Sequence, residues 1–466
     1  MASGDIQEHT RDLSESSELN LLDLLSNTLV LQQTVPYLPP SALLSIAATS
    51  KQFRKLFLKT PGVFRHLDLT CVKTAQFNIA PIDNGGETWR NVQLDENLTE
   101  DDFYSGPLRG IAHNLQRGGI LKDVHTLVLD GLSVTAELVH DILVDPSYNV
   151  RILSIREAKN LNERKLMQSL SYACRRTRPD GSPKLRGLYV FGKRDMPASA
   201  LASTRTPSAA STPSVRSSEI GINWNRKSSN TLYAGLCTEQ DDWYEKRGRI
   251  ISSPIAHGWA KILLECRDAI CFDAVLCTGP RHANSAAYGR VPVSPVPGVT
   301  NPQLWNVATF AMSGCATCGS APEGFTVYGD SATEELPLLA PVPLHSSNVK
   351  AASIPNSASS GAADAEKPRF VPRCWDCIRD RYCFSCEQWW CEACYQVPSS
   401  SELNSHTRKI TRSCWECENN CLDCIAHTQR RCKSCGGGYC IIHYDGSTMT
   451  LCDWCSTRGR RIRELY

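Results

Sequence analysis

The chain has 466 residues, 41% of them hydrophobic and 21% charged, with 50 basic against 48 acidic side chains and a formal charge of +2. That is enough apolar material for a sizeable core and, at roughly 150 residues per domain, for about three domains. The near-neutral balance excludes a global pull toward nucleic acid or an anionic membrane.

The first twenty residues, MASGDIQEHTRDLSESSELN, have neither the basic start nor the apolar run of a secretory leader. No stretch approaches the roughly 18 uninterrupted apolar residues of a membrane span. The expected setting is intracellular, cytoplasm and/or nucleus, where thiols stay reduced. Residues 1–17 read as a disordered N-terminus.

Residues 18–64 read as a small helical domain. Leu21, Leu24, Leu25 and Leu29 recur at helical spacing. After Pro39 and Pro40, Ser41 is a candidate N-cap for a helix over SALLSIAATSKQFRKLFLK, ended by Pro61 and Gly62. Such a unit is too short for a full core and is expected to dock on something else.

The stretch LPPSALLSIAATSKQFRKLFLKTPGVFRHLDL resembles the F-box through Leu43 and Leu44, through Ser50-Lys51-Gln52-Phe53-Arg54, and through Phe64 ahead of Leu67-Asp68-Leu69. The resemblance covers about a tenth of the chain. It implies binding to a Skp-type adaptor of a cullin ubiquitin ligase through Leu24, Leu25, Leu38, Pro39, Leu43, Leu44, Phe53 and Leu56. It further implies a non-catalytic subunit that selects a protein substrate for ubiquitin-dependent degradation.

Residues 65–195 carry short alternating apolar runs: HLDLT (66–70), NVQLD (91–95), HTLVLDG (125–131), RILSIRE (151–157) and LRGLYVFG (185–192). Each run is followed by polar residues and then a helical pattern, as in SVTAELVHDIL and NERKLMQSLSYACRR. Equivalent residues Leu94, Leu129, Ile155 and Val190 lie 35, 26 and 35 apart, the period of a leucine-rich-repeat-like α/β solenoid, although no asparagine ladder is visible. A generic α/β domain is the alternative. Residues 196–231 form a Ser/Thr/Pro-rich linker. Residues 232–314 read as a continuation of the repeats, with CFDAVLCTG (271–279) and WNVATFAMSG (305–314) as further strands. The fold class is thus multidomain α/β, closed by a small zinc-binding domain.

Of the 23 cysteines, Cys71, Cys174, Cys237, Cys266, Cys271 and Cys277 are scattered and read as ordinary buried thiols. The other seventeen fall into pairs: Cys315/Cys318 in a first knuckle (315–330), then, beyond a low-complexity insert (331–368), Cys374/Cys377, Cys383/Cys386, Cys391/Cys394, Cys414/Cys417, Cys421/Cys424, Cys432/Cys435, Cys440/His443 and Cys452/Cys455 in a domain over 369–466. Zinc takes four tetrahedral ligands, and a two-residue gap lets one tight knuckle present two of them. Repeated pairs in a reducing compartment point to metal rather than to disulfides, so four or more structural zinc ions are expected, with no open catalytic position.

One interleaved scheme joins the 374 pair to 391, 383 to 414, 421 to 440 and 432 to 452. A rival joins Cys315/Cys318 to Cys374/Cys377 and recruits His406 or His427. Trp375, Trp389, Trp390, Trp415 and Trp454 beside the ligands read as covers for the metal sites or as a partner surface.

Two other functions stay open. Interleaved pairs suit a RING-like ligase, although RSCWECENN lacks the usual central histidine. A nucleic-acid-binding zinc protein would have to use local patches such as RGRRIR (458–463). No Gly-x-Ser-x-Gly, phosphate loop or His-Glu-x-x-His is present.

Overall fold

The structure is a computed structural model that describes residues 20–76, 100–194, 248–296, 303–323, 326–327, 369–398, 408–412, 414, 417–443 and 446–456. The strand expected at 91–95, the linker, the insert, Cys237, His406, Trp415 and the RGRRIR patch lie outside the described residues.

Four short helices open the chain: α1 (Leu21–Ser26), α2 (Thr28–Thr34), α3 (Pro40–Thr49) and α4 (Lys51–Lys59). Asn20 caps α1, accepting the Leu22 and Asp23 N–H groups while Asp23 answers its backbone. The single helix expected from Ser41 is two helices, and Pro39 rather than Ser41 holds the cap position of α3. Ser50 is extended (φ −151°, ψ 158°) and its hydroxyl accepts the Phe53 N–H, so it closes α3 and caps α4. Leu25, Leu31, Val35, Leu43, Ala47, Phe57, Val63 and Phe64 form the unit's own core.

A parallel five-stranded sheet follows in chain order: β1 (His66–Asp68), β2 (Thr126–Val128), β3 (Ile152–Ser154), β4 (Gly187–Tyr189) and β6 (Cys271–Phe272), with β5 (Gly248–Arg249) placed elsewhere. Leu67, Leu127, Leu153, Leu188 and Phe272 stand in register and are buried, the core row that the alternating runs encode. Helices α5 (Glu100–Arg117), α6 (Ala136–Val144), α7 (Glu163–Ala173) and α8 (Trp259–Cys266) line the sheet in sequence order. Ion pairs and hydrogen bonds link neighbours: Arg109 to Asp141 at 2.7 Å, Lys165 to Glu137 at 2.6 Å, and the Trp259 indole N–H to Glu163 at 2.8 Å.

Two buried aspartates hold the turns beyond the strands. Asp273, fully buried, accepts the backbone N–H groups of Val190, Phe191 and Gly192. Asp130 accepts the Arg156 N–H at 2.8 Å and pairs with its guanidinium at 2.7 Å. Each closes the turn that leaves a neighbouring strand, where buried donors would otherwise go unpaired.

The segment 305–314 corrects the repeat reading. Its strand β7 (Phe310–Met312) pairs antiparallel with β9 (Arg369–Arg373) in a second sheet ordered β5-β7-β9-β8, with β8 at Thr326–Val327. Phe310 and Met312 bury among Cys277, Cys315, Cys374 and Trp389 rather than among the leucines of the parallel sheet. Two further hairpins, β10 (Ile410–Thr411) with β11 (Asn420–Cys421) and β12 (Gln429–Arg431) with β13 (Gly438–Cys440), present later cysteines. Among the described residues no helix is long and apolar enough to cross a membrane.

Candidate metal centres

Among the described residues, five clusters of four side chains bring their ligand atoms within 4.8 Å of one another. In order along the chain they are Cys277/His282/Cys374/Cys377, Cys315/Cys318/Cys391/Cys394, Cys383/Cys386/Cys421/Cys424, Cys414/Cys417/Cys440/His443 and Cys432/Cys435/Cys452/Cys455. All eighteen residues expected as ligands are in these clusters, and two unexpected ones join them.

The geometry fits a tetrahedral ion. With metal–sulfur bonds of about 2.3 Å, as in zinc sites, the edge of the tetrahedron is about 3.8 Å. Sulfur–sulfur distances between knuckles are 3.8 Å for Cys277–Cys377, 3.8 Å for Cys318–Cys391 and 3.9 Å for Cys386–Cys421. They are 3.7 Å for Cys417–Cys440 and 3.8 Å for Cys435–Cys452. A disulfide would require about 2.05 Å, and every described cysteine is free. The His443 Nδ1 lies 3.0, 3.7 and 3.9 Å from the sulfurs of Cys417, Cys440 and Cys414, around the roughly 3.6 Å expected for a nitrogen–sulfur edge.

The first cluster is wholly buried. Cys277 leaves the C-terminal end of the parallel sheet five residues after β6, and Gly279 turns the chain toward His282. A Cβ on Gly279 would stand 2.5 Å from the Cys377 Sγ, so only glycine fits beside the ligands. The His282 Nε2 faces the Cys374 Sγ at 3.2 Å while its Nδ1 meets the Gln303 carbonyl at 2.9 Å. That outer contact fixes the ring and leaves Nε2 as the ligand atom. Backbone N–H groups of Cys374 and Gly279 point at the Cys277 sulfur. Burial works against a Cys277 thiolate, but the Cys374 and Cys377 thiols and the Arg373 guanidinium pull its pKa well below the ordinary range.

The same knuckle chemistry recurs. Burial raises the Cys315 thiol, yet N–H groups of Cys391, Cys318 and Thr317 bring it down to about 7. Cys432 falls to about 6 through the N–H groups of Cys435 and Cys452. Between the first two clusters, Arg381 and Glu392 form a buried ion pair at 3.0 Å, and Arg381 also donates to the Cys377 carbonyl at 3.1 Å. Glu392 lies inside the Cys391/Cys394 knuckle, so the pair braces one cluster against the next.

The pairing corrects both schemes. Of the expected joins only 432 with 452 holds. Cys374/Cys377 takes Cys277 and His282, Cys315/Cys318 takes Cys391/Cys394, the 383 pair takes 421, and the 414 pair takes 440. Each cluster encloses the first pair of the next, so the five are cross-braced from residue 277 to residue 455. His427 is in no cluster; it is exposed, and its Nδ1 meets the Asp423 carbonyl at 2.8 Å. Cys277, read as an ordinary thiol, is a ligand-type residue because its strand delivers it to the 374 knuckle. The signal was CTGPRH, a Cys-x4-His with a Gly-Pro turn.

The tryptophans divide. Trp389 is buried and its indole N–H donates to the Ser313 carbonyl, a cover for the first two clusters. Trp375 is 38% exposed within a group of rings formed with Phe310, Tyr382 and Phe384, and Trp454 is 68% exposed.

The expected adaptor contacts also divide. Leu24 and Leu44 are 51% and 55% exposed, and Pro39 is exposed. Leu38, Phe53 and Leu56 are half-buried, while Leu25 and Leu43 belong to the helical unit's core. No protein-family profile matches the chain, and no curated protein and no solved structure matches it.

Proposed function

We propose that the chain is the substrate-recognition subunit of a Skp–cullin–F-box-type ubiquitin ligase, non-catalytic itself, with five structural zinc ions holding a protein-binding module. The observation that carries this reading is the N-terminal unit. Its four helices close a core of eight residues, yet Leu21, Leu24, Leu29, Leu44 and Leu58 remain 46–72% exposed. Exposed leucines at that density on so small a unit suit a protein contact, and the sequence that carries them resembles an F-box. The parallel strand-and-helix stack beginning at His66 would serve as the leucine-rich-repeat-like receptor.

Zinc is the metal best suited to sites of four thiolates or three thiolates with one imidazole, at tetrahedral edges. When bound it supplies folding energy rather than chemistry, since each site has four protein ligands and no fifth position for water. Eighteen thiolates and five divalent ions carry a net −8, which takes the formal +2 of the chain to about −6; that charge disfavours nucleic acid as the main partner. A second reading, ligase activity of the module itself, draws on one observation, the cross-braced order of the clusters.

The test is co-purification of a Skp-type adaptor with the full chain. Leu24→Asp with Leu44→Asp places two charges on exposed positions and should abolish capture while leaving zinc content unchanged. An adaptor that never co-purifies, or binds the double variant equally, refutes the F-box reading. Leu43→Asp is no clean test, because Leu43 is 1% exposed in the unit's own core.

A further inference from the structure

The starts of four neighbouring parallel strands carry cationic residue types at one repeated position. Arg65, His125, Arg151 and Arg186 each precede their strand by one residue, which puts them opposite one another in the register of β1 to β4. The backbone repeats there too. The Arg65 carbonyl accepts the N–H groups of His125 and Thr126, the His125 carbonyl those of Arg151 and Ile152, and the Arg151 carbonyl those of Arg186 and Gly187. The row is therefore fixed by the sheet, not by loop conformation.

The three arginines are exposed. None of them makes an ion pair or a side-chain hydrogen bond among the described residues, whereas Arg109, Arg156, Arg373 and Arg381 all have carboxylate partners. Asp123 is close enough to His125 to act on it electrostatically. His125 itself is held below its ordinary range, by burial first and then by Arg151 and Arg65. Arg151 and Arg186 are like charges in register on adjacent strands, which is unfavourable, and Arg65 adds a third positive charge two strands from Arg151, so an anionic partner would restore stability that the row costs the fold.

We propose that this row docks an extended acidic peptide segment of a partner protein. Strands spaced by about 4.8 Å set Arg65 and Arg186 roughly 14 Å apart. An extended peptide advances about 3.3 Å per residue, so roughly four to five residues cover the row, with acidic side chains on alternate positions facing the arginines. The surface is short, and the zinc-loaded chain is net negative, which favours a local acidic segment over a long polyanion such as nucleic acid. The inference stands without the F-box reading.

The experiment uses the full, zinc-loaded chain and a fluorescein-labelled peptide of alternating glutamate and serine, followed by fluorescence anisotropy. The same peptide with glutamine for glutamate and a single-stranded oligonucleotide are run beside it. Arg65→Gln with Arg151→Gln and Arg186→Gln should weaken the acidic peptide at least about tenfold, since each exposed charge contact is worth up to about fivefold. Arg290→Gln, an exposed cation away from the row, should leave it unchanged. Raising salt from 50 to 200 mM should weaken binding in the wild type and little in the triple variant. Circular dichroism and zinc content verify folding, and the single Arg151→Glu reports the same surface if the triple variant misfolds. Equal binding by wild type and variants, no binding of the acidic peptide, or an oligonucleotide that binds more tightly through the same arginines would each overturn the proposal.

Discussion

Cys277→Ser removes one of four ligands at the cluster that ties the end of the parallel sheet to the cysteine module. Serine keeps nearly the same shape, and its oxygen can still meet the N–H groups of Cys374 and Gly279 that point at the Cys277 sulfur. The change therefore addresses metal rather than packing. A structural zinc contributes about 10–16 kcal/mol in small peptides, or roughly 2.5–4 kcal/mol per ligand when shared evenly. Affinity at this site should fall on the order of a hundred- to a thousandfold. A loss of that size is a large part of a typical domain stability of about 5–15 kcal/mol. Native mass spectrometry against a competing chelator should show the wild type holding five ions and the variant four, with an added low-temperature unfolding step in the variant. Cys71→Ser, at an exposed cysteine in no cluster, is the control. A Cys277→Ser protein that keeps five ions as tightly as the wild type would refute the assignment of Cys277 as a ligand.

Gly279→Ala leaves every ligand intact but drives a Cβ to 2.5 Å from the Cys377 Sγ, so the same ion should be lost; an unchanged metal-to-protein ratio would count against the geometry. Asp273→Ala strips the acceptor from the Val190, Phe191 and Gly192 N–H groups. Unpaired buried donors cost about 1–3 kcal/mol each, so denaturant unfolding should report a loss of about 3 kcal/mol with zinc content unchanged, and a loss below about 0.5 kcal/mol would contradict the role of Asp273 in holding this turn. Acid should release metal. In the metal-free fold Cys315 and Cys432 have pKa values of about 7 and about 6, below the ordinary thiol value, so their stabilising contribution is complete above the ordinary thiol range and lost as pH falls through 7 and 6, and a bound ion, which competes with the proton, holds them as thiolates to lower pH still. Zinc liberated into a chromogenic chelator should therefore rise on acidification below that window, and release on raising the pH to 9 would reverse the sign of the argument.

Much of the parallel sheet was legible because its core row is periodic: Leu67, Leu127, Leu153 and Leu188 sit in runs with strand alternation, and each run became a strand. The run at 305–314 has the same alternation but pairs antiparallel with β9, because periodicity records a buried face and not the identity of the partner strand. The split at Ser50 was also readable in principle, since a serine before KQF is a cap as well as a helix residue. Ligand identity came from spacing alone, as a two-residue gap is a local property of the chain. Pairing did not, because an ion joins knuckles that are remote in sequence, and Cys374/Cys377 could equally have met 315, 391 or 277. Cys277 and His282 escaped notice because their four-residue gap is not the common one and the strand pattern through Cys271–Phe272 absorbed the cysteine. Nothing in the immediate sequence of Asp273 marks a carboxylate destined for three backbone donors, nor in that of Asp130 one destined for the Arg156 N–H and guanidinium.

The most direct test of the central claim is zinc K-edge X-ray absorption on the full chain, combined with elemental analysis of metal and sulfur in the same sample. Five closed clusters with eighteen sulfur and two imidazole ligands require five zinc ions per chain and an average shell of about 3.6 sulfurs at about 2.3 Å and 0.4 nitrogen. Four ions or fewer, or an average of one oxygen per zinc, would contradict five closed, cross-braced sites.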